Sequence, residues 1–338
     1  MDIHQKWAAL VFTCLLGAAL QMPAHAQALK KVKVTIPVPG LSFMPLYAGV
    51  DKGIFAKNGL DVEIVSTAGD GPDVDSLIAG AVEFTVSTPN RLMTAWEQGK
   101  PLLGVMNLGN RMVVDCWMNK EIAEQLKVTA DTPLEQRIKA LKGQTVAGTR
   151  PGAFTYLLLI GYAKRFGLEP QKDVNIIGIG SGAAMIPAVE NNQVAVACTG
   201  APAADLAISR GKSVIFTENA AGKDPALTDF LYEVLYVRPD WAKANADTVR
   251  RMTKSLKESM NWVMDASDAD LLPVLKKNMA GAPDEILLKA MKNTRNMYKR
   301  DGRILDAEVN KASAFLISTG ALTKQPPPAA ITSNEYLP

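Results

Sequence analysis

The chain has 338 residues, 21% of them charged, and a formal net charge of +3 with Lys and Arg interspersed among acids. So mild and unclustered an excess argues against a nucleic-acid partner, which calls for a basic patch or stripe. Both histidines, His4 and His25, fall within the first 26 residues, so the remainder has no imidazole for a Ser-His or Cys-His pair and no His-based metal site.

Residues 1–26 read as a secretory signal: Lys6 supplies the positive start, 7–20 is mostly apolar, and Ala24-His25-Ala26 offers small residues for cleavage after Ala26. The apolar run falls short of the roughly 20 residues that span a bilayer, and Pro23 closes it. Phe12 and Thr13 before Cys14 make a poor lipidation box. The expectation is a soluble protein exported to the periplasm. After processing, only Cys116 and Cys198 remain. An oxidising compartment would let them bridge, but both lie in apolar strand-like runs, which favours buried thiols.

A strand over 32–36 leads through the loop 37–44 into a helix over 45–58, with Pro45 in its first turn. Gly53 and Gly59 then precede the alternating Leu60, Val62 and Ile64 of a second strand. A glycine-bearing loop, a short helix over 73–79 and a third strand ending at Ser87 complete the unit. Sliding the sequence by 112 positions repeats it: Pro39-Gly40 falls on Pro151-Gly152, Asp61-Val62 on Asp173-Val174, Ile64 on Ile176, Val82 on Val194 and Ser87 on Thr199. The second copy has its long helix over 153–166, closed by Gly167, and a short one over 183–191. βα units of similar size also drift into register by chance. Alternation of this kind calls for parallel sheets with helices on both faces, and the two copies are read as two lobes. The extended run 112–118 would cross between them, and 231–237 would cross back. Helices over 248–264, 270–279, 284–298 and 306–318 would cover the first lobe, and 325–338, with three consecutive prolines, would form an irregular tail. The first lobe is thus placed at 30–114 and 236–324, the second at 115–235.

Parallel strands present their carboxyl-end loops on one edge, where open α/β sheets bind ligands. Two such edges facing each other make a cleft, and a ligand touching both sides would favour its closure. Neutral groups dominate these loops: Ser42, Thr88, Asn90, Ser181, Thr199 and the backbone at Gly71, Gly152 and Gly182. Arg150-Pro151-Gly152-Ala153 opens a helix whose first N–H groups and dipole suit an anion, with Arg150 adding a charged fork. A solvated arginine on an ordinary turn is the plainer reading. Arg91 and Arg111 are weaker supports, since Asp70, Asp73 and Asp115 lie on neighbouring segments and could pair with them. Phe43, Phe154 and Tyr156 could stack on a ring or belong to the core, and Trp117 shares that ambiguity. The run Gly178-Ile179-Gly180-Ser181-Gly182-Ala183 imitates a dinucleotide fingerprint, but the acid expected about 20 positions on is missing and the preceding strand is not the first of its lobe.

The segments PLYAGVDKGIFAKNGLDVEIV, GAVEFTVSTPNRLMTAWEQGKPLLGV, LKGQTVAGTRPGAFTYLLL, DVNIIGIGSGAAMIPAVENNQVAVA and LYVRPDWAKANADTVRRM resemble the nitrate/sulfonate/taurine family of ABC-transporter periplasmic substrate-binding proteins along nearly the whole chain after residue 26. The resemblance implies a type II periplasmic-binding-protein fold of class α/β: two lobes with parallel or mixed sheets flanked by helices and joined by two crossover segments. It also implies a protein without cofactor or catalysis that delivers its solute to the transmembrane subunits of an ABC permease; with Arg150 at a helix entrance, the expected solute is a small organic anion, sulfonate or carboxylate, and the expected state a monomer. In that family the loop that opens the second lobe often carries Gly-Ser or Gly-Thr. Here Ala153 follows Gly152, which weighs against nitrate or a simple sulfonate and leaves an organic carboxylate open. The thiamin-precursor branch of the family carries a cysteine-rich motif and a histidine, and neither is present. Two other readings stay open, a cleft enzyme of the pyrimidine-precursor or decarboxylase kind working through Asp, Lys or Tyr, and a ligand-sensing adaptor for a membrane receptor.

Overall fold

The computed structural model describes residues 28–338 apart from Ala68 and Ser181. The expected signal segment lies outside the described residues. Among the described residues ten strands run in chain order: β1 Lys30–Ile36, β2 Leu60–Ser66, β3 Phe84–Ser87, β4 Leu103–Arg111, β5 Val114–Asn119, β6 Thr145–Gly148, β7 Asn175–Gly178, β8 Val196–Gly200, β9 Ser213–Thr217 and β10 Thr228–Val237. They build two five-stranded sheets, ordered β2-β1-β3-β10-β4 and β7-β6-β8-β5-β9.

The internal repeat is a repeat of hydrogen-bond register. Val34 opposes Ile64 and Phe84 in one sheet, and Val146 opposes Ile176 and Val196 in the other. All three positions are displaced by the same 112 residues, which chance alignment of βα units does not explain. The fourth place in each sheet goes to an antiparallel strand arriving from the other half, β10 in the first and β5 in the second. These are the two crossings, and the architecture is the α/β one the sequence implies. Short runs such as Phe84–Ser87 are buried on both faces, as strands covered on both sides require, and the Thr85 hydroxyl is satisfied by the Thr35 carbonyl at 3.1 Å.

Four details differ from the sequence reading. The helix over 45–58 is divided into Met44–Asp51 and Ile54–Lys57, because Gly53 turns left-handed at φ 67°. That turn folds Phe55 back onto Gly49, where a Cβ would stand 2.3 Å from the ring. β4 has no strand-like pattern, since Asn107 at its centre is buried only with its amide donating to Glu308 Oε2 at 3.0 Å. The segment 325–338 is pinned: helix Pro328–Ile331 is followed by a bridge from Thr332 to Gly104, and Tyr336 is buried. Finally, Cys116 and Cys198 are opposed across β5 and β8 with Cα atoms 4.1 Å apart, and they form a disulfide. The apolar runs around them favour buried unpaired thiols. Direct opposition in an antiparallel pair brings the two Cβ atoms within bridging reach, which overturns that expectation.

The main apolar core runs through both halves, with a smaller one around Trp117, Met185, Ile186 and Val189. Trp117 is thereby a core residue. Of the returning helices, Ala246–Asp265 packs on Met44–Asp51, while Asp306–Thr319 lies against both β10 and the helix Phe154–Arg165. The latter contact is aromatic, with Phe315 at 5.6 Å from Phe154 and 5.7 Å from Phe230 between ring centroids.

Candidate functional site

The loops at the carboxyl ends of β1, β2, β3, β6, β7 and β8 converge on one cavity of ≈ 730 Å³, a size that suits a small organic molecule. The crossings contribute Val113, Val114 and Tyr232, and the loop after helix Asp268–Asn278 contributes residues 279–282. Local chemistry explains how these loops leave their sheets. Beyond Ile36, Pro37 and Pro39 have no N–H to extend a ladder, and the chain turns into the short 3-10 helix Leu41–Phe43. In the second half Thr149 donates its N–H to Thr155 Oγ1 at 2.9 Å, tying the first turn of helix Phe154–Arg165 to the end of β6. The approach depends on Gly148, whose Cβ would lie 2.8 Å from the Tyr156 nitrogen.

Seven of the candidate residues line the cavity: Ser42, Phe43, Thr88, Arg150, Phe154, Gly182 and Thr199. Ser181 lies outside the described residues. Gly71, Asn90, Gly152 and Ala153 are not among the lining residues. Gly71 adopts φ 113° and donates its N–H to Asp73 Oδ1 at 2.7 Å. Asn90 accepts from Thr88 Oγ1 at 2.8 Å and donates to the Gly152 carbonyl at 3.1 Å, so it fastens the halves together. Ala153 is fully buried. Arg91 and Arg111 turn to backbone carbonyls, Asp70 O at 3.3 Å and Ala220 O at 3.4 Å. Tyr156 hydrogen-bonds the Ile176 carbonyl at 3.2 Å.

Phe154 serves two ends at once. It is 2% exposed, packs edge-on against Phe230 and Tyr232, and still contributes to the cavity surface. Asp70, Thr149 and Thr155, which belong to the carboxyl-end loops but are not singled out as ligand residues by sequence, line the same space, as do Arg210, Tyr232 and the loop 279–282, which sequence reasoning passes over. The repeat held a signal for two of them. A shift of 112 carries Asp70 onto Gly182 and Phe43 onto Thr155, and Gly182 and Phe43 are both candidates.

The electrostatics centre on Asp70. Its Oδ2 accepts the N–H of Phe154, at the start of the opposite helix, at 3.2 Å. Arg150 lines the cavity, is exposed, and has its guanidinium against the backbone of Gly69, where a Cβ would be 2.8 Å from Arg150 Cζ. Burial between the halves, with the charge of Asp73, pushes the Asp70 carboxyl up to about 6, although Phe154 N–H, Arg91 and Arg150 all favour its ionised form. Asp73 and Glu233, also in the first half, are pushed up mainly by burial as well, Glu233 far above the usual carboxylate range. Among the described residues, the bonds that join the loops of the two halves include Phe154 to Asp70, Asn90 to Gly152, and Leu41 N–H to the Ala201 carbonyl at 3.3 Å. Lys289 and Asp205 add an ion pair at 3.4 Å.

A second cavity of ≈ 800 Å³ lies along β9 and the helices Lys120–Leu126 and Ala203–Ser209. It holds Asp115, whose carboxyl is pushed up to about 7 by burial while Ala220 N–H, 2.9 Å away, opposes the shift. The carboxyl-end loops of the parallel strands lie elsewhere, which makes the first cavity the candidate site. Among the described residues no cluster of His, Cys, Asp and Glu could hold a metal ion, and no helix is long and apolar enough to cross a membrane.

Comparison with known proteins agrees with this geometry. YtlA of Bacillus subtilis (strain 168), named as a binding protein, is 22% identical over 98% of this chain and 97% of its own. The periplasmic nitrate-binding protein NrtA of Synechocystis PCC 6803 superposes with a TM-score of 0.73 at 20% identity, covering 91% of this chain and 87% of its own. The alkanesulfonate-binding protein SsuA of Xanthomonas axonopodis pv. citri, bound to MOPS, superposes with a TM-score of 0.70 at 15% identity, covering 90% and 98%. At such identities the structural likeness gives the fold, that of periplasmic binding proteins. Residues 27–272 match the model of the NMT1-like family, and the chain belongs to that family.

Proposed function

We propose that this protein is a periplasmic solute-binding protein that captures a small organic anion between its two lobes and delivers it to an ABC permease. The observation that carries this reading is the joint cavity, built from the carboxyl-end loops of both sheets and holding Arg150 and Arg210 beside an apolar and aromatic surface of Phe43, Phe154, Tyr232, Ile186 and Leu206. A molecule touching both halves stabilises their approach by its differential contacts. Arg150 at the entrance of helix Phe154–Arg165 favours a negative group, with Arg210 on another wall at the end of helix Ala203–Ser209, and the aromatic surface favours an organic body over an inorganic ion. The names of NrtA and SsuA, binders of nitrate and of alkanesulfonates, support the anion class. That of YtlA supports binding over catalysis.

Calorimetric titration with sulfonates, aromatic acids and aliphatic carboxylates tests it. At least one should bind near or below micromolar, roughly −8 kcal/mol or better. Binding of neutral or cationic solutes with no anion bound would overturn the ligand class. Turnover of a ligand by the purified protein would overturn the transport role.

A further inference from the structure

The position at which a ligand's negative group would meet the helix Phe154–Arg165 already has a negative group beside it. Asp70 reaches over from the loop after β2 and accepts the Phe154 N–H at 3.2 Å, and it lines the same cavity as Arg150. Gly69 brings the backbone under the Arg150 guanidinium, with no room for a Cβ. We infer that Asp70 is a specificity-determining internal anion: it occupies the helix entrance when the lobes approach and competes with the acidic group of the ligand for Phe154 N–H and Arg150. This inference rests on the organic-anion reading above and sets how that reading depends on pH.

The groups facing Asp70 come from every element around it. Asp73 stands on the helix that follows it, Arg91 on helix Pro89–Glu97, Arg150 across the cavity, and Tyr232, Glu233 and Tyr236 on β10. The Glu233 carboxyl is pushed up mainly by burial, which disfavours its charged form. Burial holds Asp70 itself at about 6. Above that pH its carboxylate competes with an incoming anion. Below it the neutral acid is a poorer acceptor and repels nothing, so anion affinity should rise as pH falls through 6 and then level off.

Benzoate and benzenesulfonate, both anionic from pH 5 to 8, are the probes. In wild-type protein their affinity should increase between tenfold and about a hundredfold from pH 8 to pH 5. Asp70→Asn keeps an acceptor for Phe154 and removes the charge. It should bind at pH 8 about as tightly as wild type does at pH 5, with a flat profile. Amide hydrogen exchange of the ligand-free protein supplies a second readout: Asp70→Ala should accelerate exchange at Phe154 by tenfold or more, whereas Asp70→Asn should not. A wild-type affinity that is independent of pH and equal to that of Asp70→Asn would overturn the competition while leaving the anion reading intact. Failure of both proteins to bind either probe or any other anion, with a neutral or cationic solute bound instead, would overturn the anion reading and the competition with it. Unchanged Phe154 exchange in Asp70→Ala would overturn the bridge on which the competition depends.

Discussion

Replacing both bridging cysteines by alanine measures what the link between β5 and β8 contributes. Cys116 and Cys198 are 82 residues apart in sequence, and closing a loop of that length removes roughly 4.5 kcal/mol of conformational freedom from the unfolded chain. For a chain of this size each kcal/mol corresponds to about 2 °C, so the double variant should melt about 9 °C lower. Both residues are fully buried, so the lost packing of two sulfur atoms adds to the shift. Scanning calorimetry of wild type and variant gives the difference. Thiol titration in denaturant without reductant, on a chain beginning at residue 27, gives the redox state directly. No reactive thiol is expected. Two reactive thiols, or melting temperatures within about 2 °C of each other, would refute the reasoning.

The remaining predictions concern charge and packing. Asp115 has a folded pKa of about 7, above its ordinary 3.8, so its ionisation opposes folding at alkaline pH. Asp115→Asn should therefore stabilise the protein at pH 8 by up to about 4 kcal/mol. The gain should shrink by more than half at pH 5 and vanish below the unfolded value, as urea titrations at several pH values will show. Gly69→Ala would place a Cβ 2.8 Å from the Arg150 guanidinium at φ 144°, and anion affinity should weaken by about tenfold in calorimetry. An unchanged affinity would separate Arg150 from the ligand. Gly49→Val would drive a side chain into Phe55 and Ser259 and should cost about 1–3 kcal/mol in denaturant unfolding. Phe154→Ala should cost about 3–5 kcal/mol, because its ring also fills the core against Phe230 and Phe315.

What the sequence makes legible is whatever repeats or alternates. The shift of 112 that carries Ile64 onto Ile176 and Val82 onto Val194 anticipates two like-built sheets, and their pairing shows the same register. The apolar runs at 112–118 and 231–237 likewise anticipate β5 and β10. β4 escapes because its interior holds Gly104, Asn107 and Gly109, and only the amide partner on Glu308 makes a buried asparagine tolerable there. The disulfide escapes because two strands give no separation until the pairing of β5 with β8 is known. Within the site, single-loop residues such as Ser42, Thr88 and Arg150 can be chosen from loop position alone. Asp70 cannot be weighed that way, since its meaning depends on a helix 84 residues away. Residues 279–282 belong to a connection between returning helices and carry no ligand signal of their own.

The exchanged fourth strand has a consequence for synthesis and export. β4 has only β10 as a neighbour in its sheet, and β9 has only β5. A chain emerging amino end first therefore holds its opening sheet unfinished until residue 237 is clear, with a ragged edge exposed while the other sheet closes. Cutting the gene just before residue 114 would leave the first fragment without β10 while the second keeps all five strands of its own sheet, and only co-expression would offer the opening sheet a route to completion.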